Sequence, residues 1–133
     1  MRAACVAVVL AVAGLLTVSC NGLVDPSNNV TETFSGSVSP QGYDFHLFSV
    51  SKNGEITIKV TGLAPIDNQP IGLIWAQSSG AACDGQVLQS AAASLNQPSP
   101  IVGQIFQGTY CVLVYDLGIF SAAETYTVSV SHP

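Results

Sequence analysis

The 133-residue chain carries three basic and eight acidic side chains, and only 8% of its residues are charged. So sparse and acidic a charge set, with no basic patch, excludes nucleic acid and anionic lipid headgroups as partners. The length suits a single domain once a leader is set aside.

Met1–Cys20 opens with one positive charge, Arg2, followed by an uninterrupted apolar run from Ala3 to Leu16. That is a secretory signal with a short apolar region, too short for a comfortable membrane span. Leu16-Thr17-Val18-Ser19-Cys20 resembles the lipobox of bacterial lipoproteins, with Thr17 standing where the family prefers leucine. The resemblance implies that residues 1–19 are removed and that diacylglycerol is attached to the Cys20 sulfur, anchoring the protein at the cell envelope, outer membrane or periplasm-facing. The alternative is an ordinary secreted protein with an incidental cysteine. Residues 20–30, with Gly22, Asp25 and Pro26, read as a flexible tether, and residues 31–133 as the domain. The mature chain keeps Lys52 and Lys59 against all eight carboxylates. With Cys5 gone and Cys20 lipidated, Cys83 and Cys111 remain, and an oxidising compartment favours a disulfide between them.

Thr31–Val38 alternates polar and apolar residues, as a half-buried strand does. Ser39-Pro40-Gln41-Gly42 has the proline and glycine of a type I turn. Tyr43–Lys52 and Glu55–Leu63 flank Asn53-Gly54, the pair best suited to a two-residue type I′ hairpin. That register puts Phe45, Leu47, Ile56, Ile58 and Val60 on one face and leaves Phe48 and Val50 on the wetter one. Ile71–Gln77 is apolar on both faces and belongs inside a sheet. Gln86–Ala91 is a weaker strand, Ala92–Pro100 a loop, and Ile101–Phe106 a short strand. Gln107–Asp116 carries the most apolar run, Tyr110 to Tyr115, and reads as the central strand. Tyr126, Val128 and Val130 alternate in a closing strand. About eight short strands and no helical period imply an all-β sandwich or barrel.

An immunoglobulin domain fits poorly, because Trp75 precedes both cysteines and Thr109 occupies the position of the corner tyrosine. Phe34-Ser35-Gly36-Ser37-Val38, Tyr43–Val50, Gly54–Ile58, Gly108–Asp116 and Tyr126-Thr127-Val128 instead resemble the bacterial pre-peptidase C-terminal (PPC) domain. That resemblance, over about Thr31 to Pro133, implies an antiparallel, jelly-roll-like β-sandwich of the kind appended to exported bacterial proteins. Many members carry aspartates leading into the middle strand. Here the strand reads Ile71-Gly72-Leu73-Ile74-Trp75, with Asp67 only in the loop before it.

Nucleophilic catalysis requires a base oriented beside its nucleophile. The histidines, His46 and His132, accompany no G-x-S-x-G elbow, so the protein reads as a non-enzyme. Asp44 and His46 share a strand face where a metal could bind, and Asp44, Asp67 and Asp116 are the carboxylates available to calcium, which needs six or more oxygens. No other cofactor is implied. Trp75, Tyr110 and Tyr115 are the candidate aromatic surface for a protein or glycan, since aromatics give large contact area at low entropic cost. On strands apolar on both faces, core placement is the competing reading. Asn29-Val30-Thr31 matches the glycosylation triplet, which has little meaning in a bacterial lipoprotein. The expected function is a lipid-anchored accessory module binding an envelope protein or glycan, with a purely structural envelope protein, or a calcium-stabilised accessory domain of a secreted hydrolase system, as the alternatives.

Overall fold

The computed structural model describes residues 26–133. The leader and the expected lipidation site, Cys20, lie outside the described residues. A 3-10 turn at Pro26–Asn28 leads into eight strands: β1 (Val30–Val38), β2 (Tyr43–Val50), β3 (Gly54–Ala64), β4 (Ile71–Gln77), β5 (Val87–Ala93), β6 (Ile101–Ile105), β7 (Gly108–Tyr115) and β8 (Glu124–His132). The end of the expected tether is therefore tied down. Residues 26–28 form a turn, and Asn29 Nδ2 donates to the Glu55 carbonyl at 3.1 Å.

Pairing is nested. β1 pairs with β8, β2 with β7, β3 with β6 and β4 with β5, all antiparallel. The chain behaves as one long hairpin rolled into two sheets, in the orders β1-β8-β3-β6 and β2-β7-β4-β5. This is the jelly-roll arrangement of two Greek keys. The strand expected to be central, β7, lies inside its sheet between β2 and β4.

One expectation is overturned. β2 and β3 do not form a hairpin; they lie in different sheets, and Ser51–Asn53 arches between the layers. A type I′ turn requires positive φ at both central residues, and neither Asn53 nor Gly54 is among the residues that have it. Asn53 Oδ1 instead accepts the Gln107 amide at 2.9 Å. The physical reason lies in the side chains. A flat hairpin would strand Phe48 and Val50 beside Thr57 and Lys59. The arch turns the even-numbered residues of both strands toward each other, so Phe48, Val50, Ile56, Ile58 and Val60 are all buried in one core. Phe45 and Leu47, expected inside, are only half-buried on the outer face.

The two inner faces interdigitate in the manner of a sandwich core, with Val38, Ile71, Leu73, Ile101, Val112, Val114, Val128 and Val130 fully buried. A bulge between Val60 and Gly62 switches the parity of β3, so that Leu63 points inward. β5 runs on to Ala93, two residues beyond the expected strand. Cys83 and Cys111 form the expected disulfide, with a sequence separation of 28. Cys111 lies on the outer face of β7, so the bond folds the Ser78–Gln86 loop over one end of that face and buries Ala76.

Candidate functional site

β1 begins at Val30 and runs about 30 Å to Val38 at the usual rise per residue. The turn at 39–42 and the loops 65–70 and 116–123 therefore lie together at the end of the sandwich far from residue 30. Asp116 holds this end. Its Oδ1 accepts the amides of Gly118, Ile119 and Phe120 at 2.9–3.1 Å, and its Oδ2 accepts that of Gln41 at 2.8 Å. The Asp116 amide donates to the Gly42 carbonyl at 3.1 Å. Burial alone would push this carboxyl up, but the four backbone N–H bonds outweigh it and hold it below the ordinary carboxylate range.

The same bond explains a departure in the neighbouring turn. Gly42 N donates to Ser39 O at 2.8 Å as expected, but Gln41 has φ +59°, which a type I turn does not allow and a type II turn demands. A non-glycine residue held there is unusual, and its amide is the one Asp116 Oδ2 captures. Glu124, fully buried, accepts the Ile66 amide at 3.1 Å and fixes the third loop. On this frame Tyr43, Leu117 and Ile119 stand out, 68%, 38% and 44% exposed. Their loops need little ordering to be recognised, which lowers the cost of binding.

The apolar surface continues onto the outer face of β2, β7 and β4. Tyr43 faces Tyr115, and Phe45 faces Leu113, which in turn faces Ile74. Tyr115 lies across Gly72, where a Cβ would overlap its ring, an aromatic covering the gap a strand glycine leaves. No residue on this face is formally charged. The outer face of the other sheet contrasts with it, being hydroxyl-lined by Thr33, Ser35, Thr127 and Ser129 beside Lys59.

Inside the seam between β1 and β2 sits a polar cluster. Tyr126 donates its hydroxyl proton to Asp44 Oδ2 at 2.7 Å. Its oxygen must then accept from His46 Nε2, also at 2.7 Å. Phe34 stacks on His46 at 4.9 Å. Gly36 makes room, since a Cβ there would overlap Asp44 and the Tyr126 hydroxyl. Burial, the bond to Asp44 and the Asp44 charge together push the Tyr126 hydroxyl far up. Below this cluster His132 Nε2 meets Glu32 Oε1 at 2.8 Å, and its ring stacks on Phe48 at 5.3 Å. Among the described residues the histidines' hydrogen-bond partners are the Tyr126 hydroxyl for His46, and Glu32 and the Pro133 carbonyl for His132.

The aromatic candidates separate. Trp75 and Tyr110 are buried, 4% and 6% exposed, and Tyr110 donates to the Phe106 carbonyl at 2.9 Å. They are core residues and do not form a binding surface, because β4 and β7 turn them toward the opposite sheet. Tyr115 alone reaches the surface. The carboxylates also separate. Asp44 is committed to Tyr126 and the Phe45 amide, Asp116 to four amides, and Asp67 is exposed on its loop. Among the described residues no three His, Cys, Asp or Glu side chains come together as a metal set. The sequence reading missed Tyr43, Leu117 and Ile119. Their signal was an apolar Leu117-Gly118-Ile119-Phe120 run inside a loop, following an aspartate placed to cap it.

The sequence matches no protein-family model and no curated protein. Among solved structures the fold is similar to that of Aeromonas hydrophila PliG, a periplasmic lysozyme inhibitor of g-type lysozyme. The two are 12% identical, with a TM-score of 0.52 over 79% of this chain and 88% of PliG.

Proposed function

We propose that the protein is a non-catalytic, lipid-anchored module of the bacterial cell envelope that binds another protein through its far loop end. The observation that carries this reading is the pre-folded apolar end, where Tyr43, Leu117 and Ile119 are held on the Asp116 frame. It lies at the opposite end of the strands from the point where the tether enters. Anchored through Cys20, the sandwich would present this end away from the membrane. Histidines engaged by Tyr126, Glu32 and the Pro133 carbonyl support a non-enzymatic role. The uncharged surface, with its one tryptophan buried, favours a protein over a glycan, since rigid apolar anchors are what protein interfaces use. PliG, on a similar fold, inhibits a lysozyme, which makes a cell-wall hydrolase the first partner to try. The strand motifs shared with PPC domains fit an accessory role and are proposed only at the level of the sandwich.

The test places a photo-cross-linking residue at Ile119, and as a control at Thr33 on the hydroxyl face, in the full-length protein in its native membranes. The expected result is one cross-linked protein from position 119 and none from 33, reduced at least tenfold by Tyr43→Asp. Added g-type lysozyme, with its lytic activity measured, is the first candidate. No adduct at 119 would overturn protein binding and leave a structural envelope protein. Intact mass of the same preparation tests the anchor: a chain beginning at Cys20 with acyl chains attached supports it, and an unmodified chain cut elsewhere does not.

A further inference from the structure

The sandwich has four strand edges, those of β1, β6, β2 and β5. An edge offers unpaired backbone donors and acceptors to any extended chain, and natural proteins guard it with inward-pointing charges, prolines, short strands or bulges. β1 turns Glu32 inward onto His132. β2 turns Asp44 and His46 inward onto Tyr126. β6 is only five residues long and follows Pro100.

β5 is different. No acidic, basic or histidine side chain occurs from Gly85 to Tyr115, the stretch that holds it. Its single guard is a bulge opposite Trp75 and Ala76, which leaves Gln89–Ala93 in regular register with Ile71–Trp75. Ser90 and Ala92 are exposed there and small, so another backbone can approach closely. Val87 and Leu88, 55% and 39% exposed, flank the run.

We infer that the free edge of β5 accepts an extended, uncharged segment of another polypeptide as a fifth strand of its sheet. The inference goes beyond recognition at the far loop end and stands whether or not that end binds. The edge itself dictates the occupant. Only an extended backbone satisfies alternating N–H and C=O groups, as in strand-addition recognition. A strand edge without charge has no counter-ion for a charged peptide, so an uncharged one is favoured, with apolar residues in line with Leu88. A second copy of this chain is the weaker occupant. Two β5 edges pair antiparallel about a two-fold axis, which points their residue-30 ends in opposite directions. This ranking rests on the proposed Cys20 anchor, since two chains held through those ends in one membrane are not presented to each other in that way.

The probe is a capped hexapeptide of alternating threonine and valine, N-methylated on alternate residues so that only one of its edges can pair. Added to the full-length protein in detergent, it should slow amide exchange between Gln89 and Ala93 at least tenfold while leaving β1 and β2 unchanged. Ser90→Lys, or Ala92→Lys if the first variant folds poorly, should abolish the slowing with the thermal midpoint unchanged. No slowing, or equal slowing at β1 and β2, overturns the inference. So does protection of β5 without peptide as protein concentration rises, which would assign the edge to a second copy.

Discussion

The arch between β2 and β3 inverts which face of β2 is buried, and two phenylalanines three residues apart read that out. Phe48 is 4% exposed and stacks between Tyr110 at 5.9 Å and His132 at 5.3 Å. Phe48→Ala removes a full core ring and leaves a cavity, which costs about 3–5 kcal/mol. Phe45, half-buried on the outer face, loses about half of a phenylalanine's burial on truncation, roughly 1 kcal/mol. For a domain of this size 1 kcal/mol moves the thermal midpoint by about 4 °C. We expect Phe48→Ala to melt roughly 12–20 °C lower and Phe45→Ala about 4 °C lower, measured by circular dichroism under non-reducing conditions. The flat hairpin predicts the reverse order. A Phe45→Ala variant as unstable as Phe48→Ala would refute the parity of β2 and with it the arch.

Four further expectations concern the covalent link, a glycine and the two limbs of the pH dependence. Cys83→Ser opens a loop closed across a separation of 28 residues, which removes about 3.5 kcal/mol on the chain-entropy model; the midpoint should fall by roughly 14 °C, and an unchanged one would deny the bond any role. Gly36→Ala drives a methyl into Asp44 and the Tyr126 hydroxyl, 2.6 Å from the latter; overpacking of this kind costs about 1–3 kcal/mol, seen as a lower denaturant midpoint with unchanged slope. The Tyr126 hydroxyl is raised in the folded state by burial and by Asp44. Its contribution is full below the unfolded value near 10 and is lost as pH rises above it, so Tyr126→Phe should flatten the alkaline limb of the stability curve. Asp116, lowered from 3.8, works in the opposite direction: its contribution is present above the unfolded value and is lost as pH falls through the lower folded one. Amide-exchange protection at Gly118–Phe120, taken relative to the intrinsic rate at each pH, should therefore fall in acid before that of the core strands.

Strand existence was legible because it rests on period-two patterning, and Ile71–Gln77 matches its strand end to end. Which strands pair was not. Asn53-Gly54 is a local hairpin signal, and the burial of Phe48 and Val50, a long-range demand, overrode it. The misfit was visible in the sequence as two large apolar residues left on a wet face. Trp75 and Tyr110 were ambiguous because a strand apolar on both faces does not say which face is the core. The disulfide could be read by elimination. The Asp116 frame could not, because the Gln41 amide it binds is distant in sequence and approaches only when β2 pairs with β7, with Tyr43 opposite Tyr115.

The nested pairing also sets the order in which the chain can organise as it is synthesised amino end first. β1 meets its partner β8 only when nearly everything between them has been delivered, and β2 must wait for β7. The β4–β5 hairpin, whose connection carries Cys83, is the early local unit. Contacts this far apart in sequence close slowly, on the millisecond-to-second scale of β-rich topologies. The chain stays open until synthesis is almost complete, and Phe34, Phe45 and Phe48 of β1 and β2 wait longest for the strands that cover them.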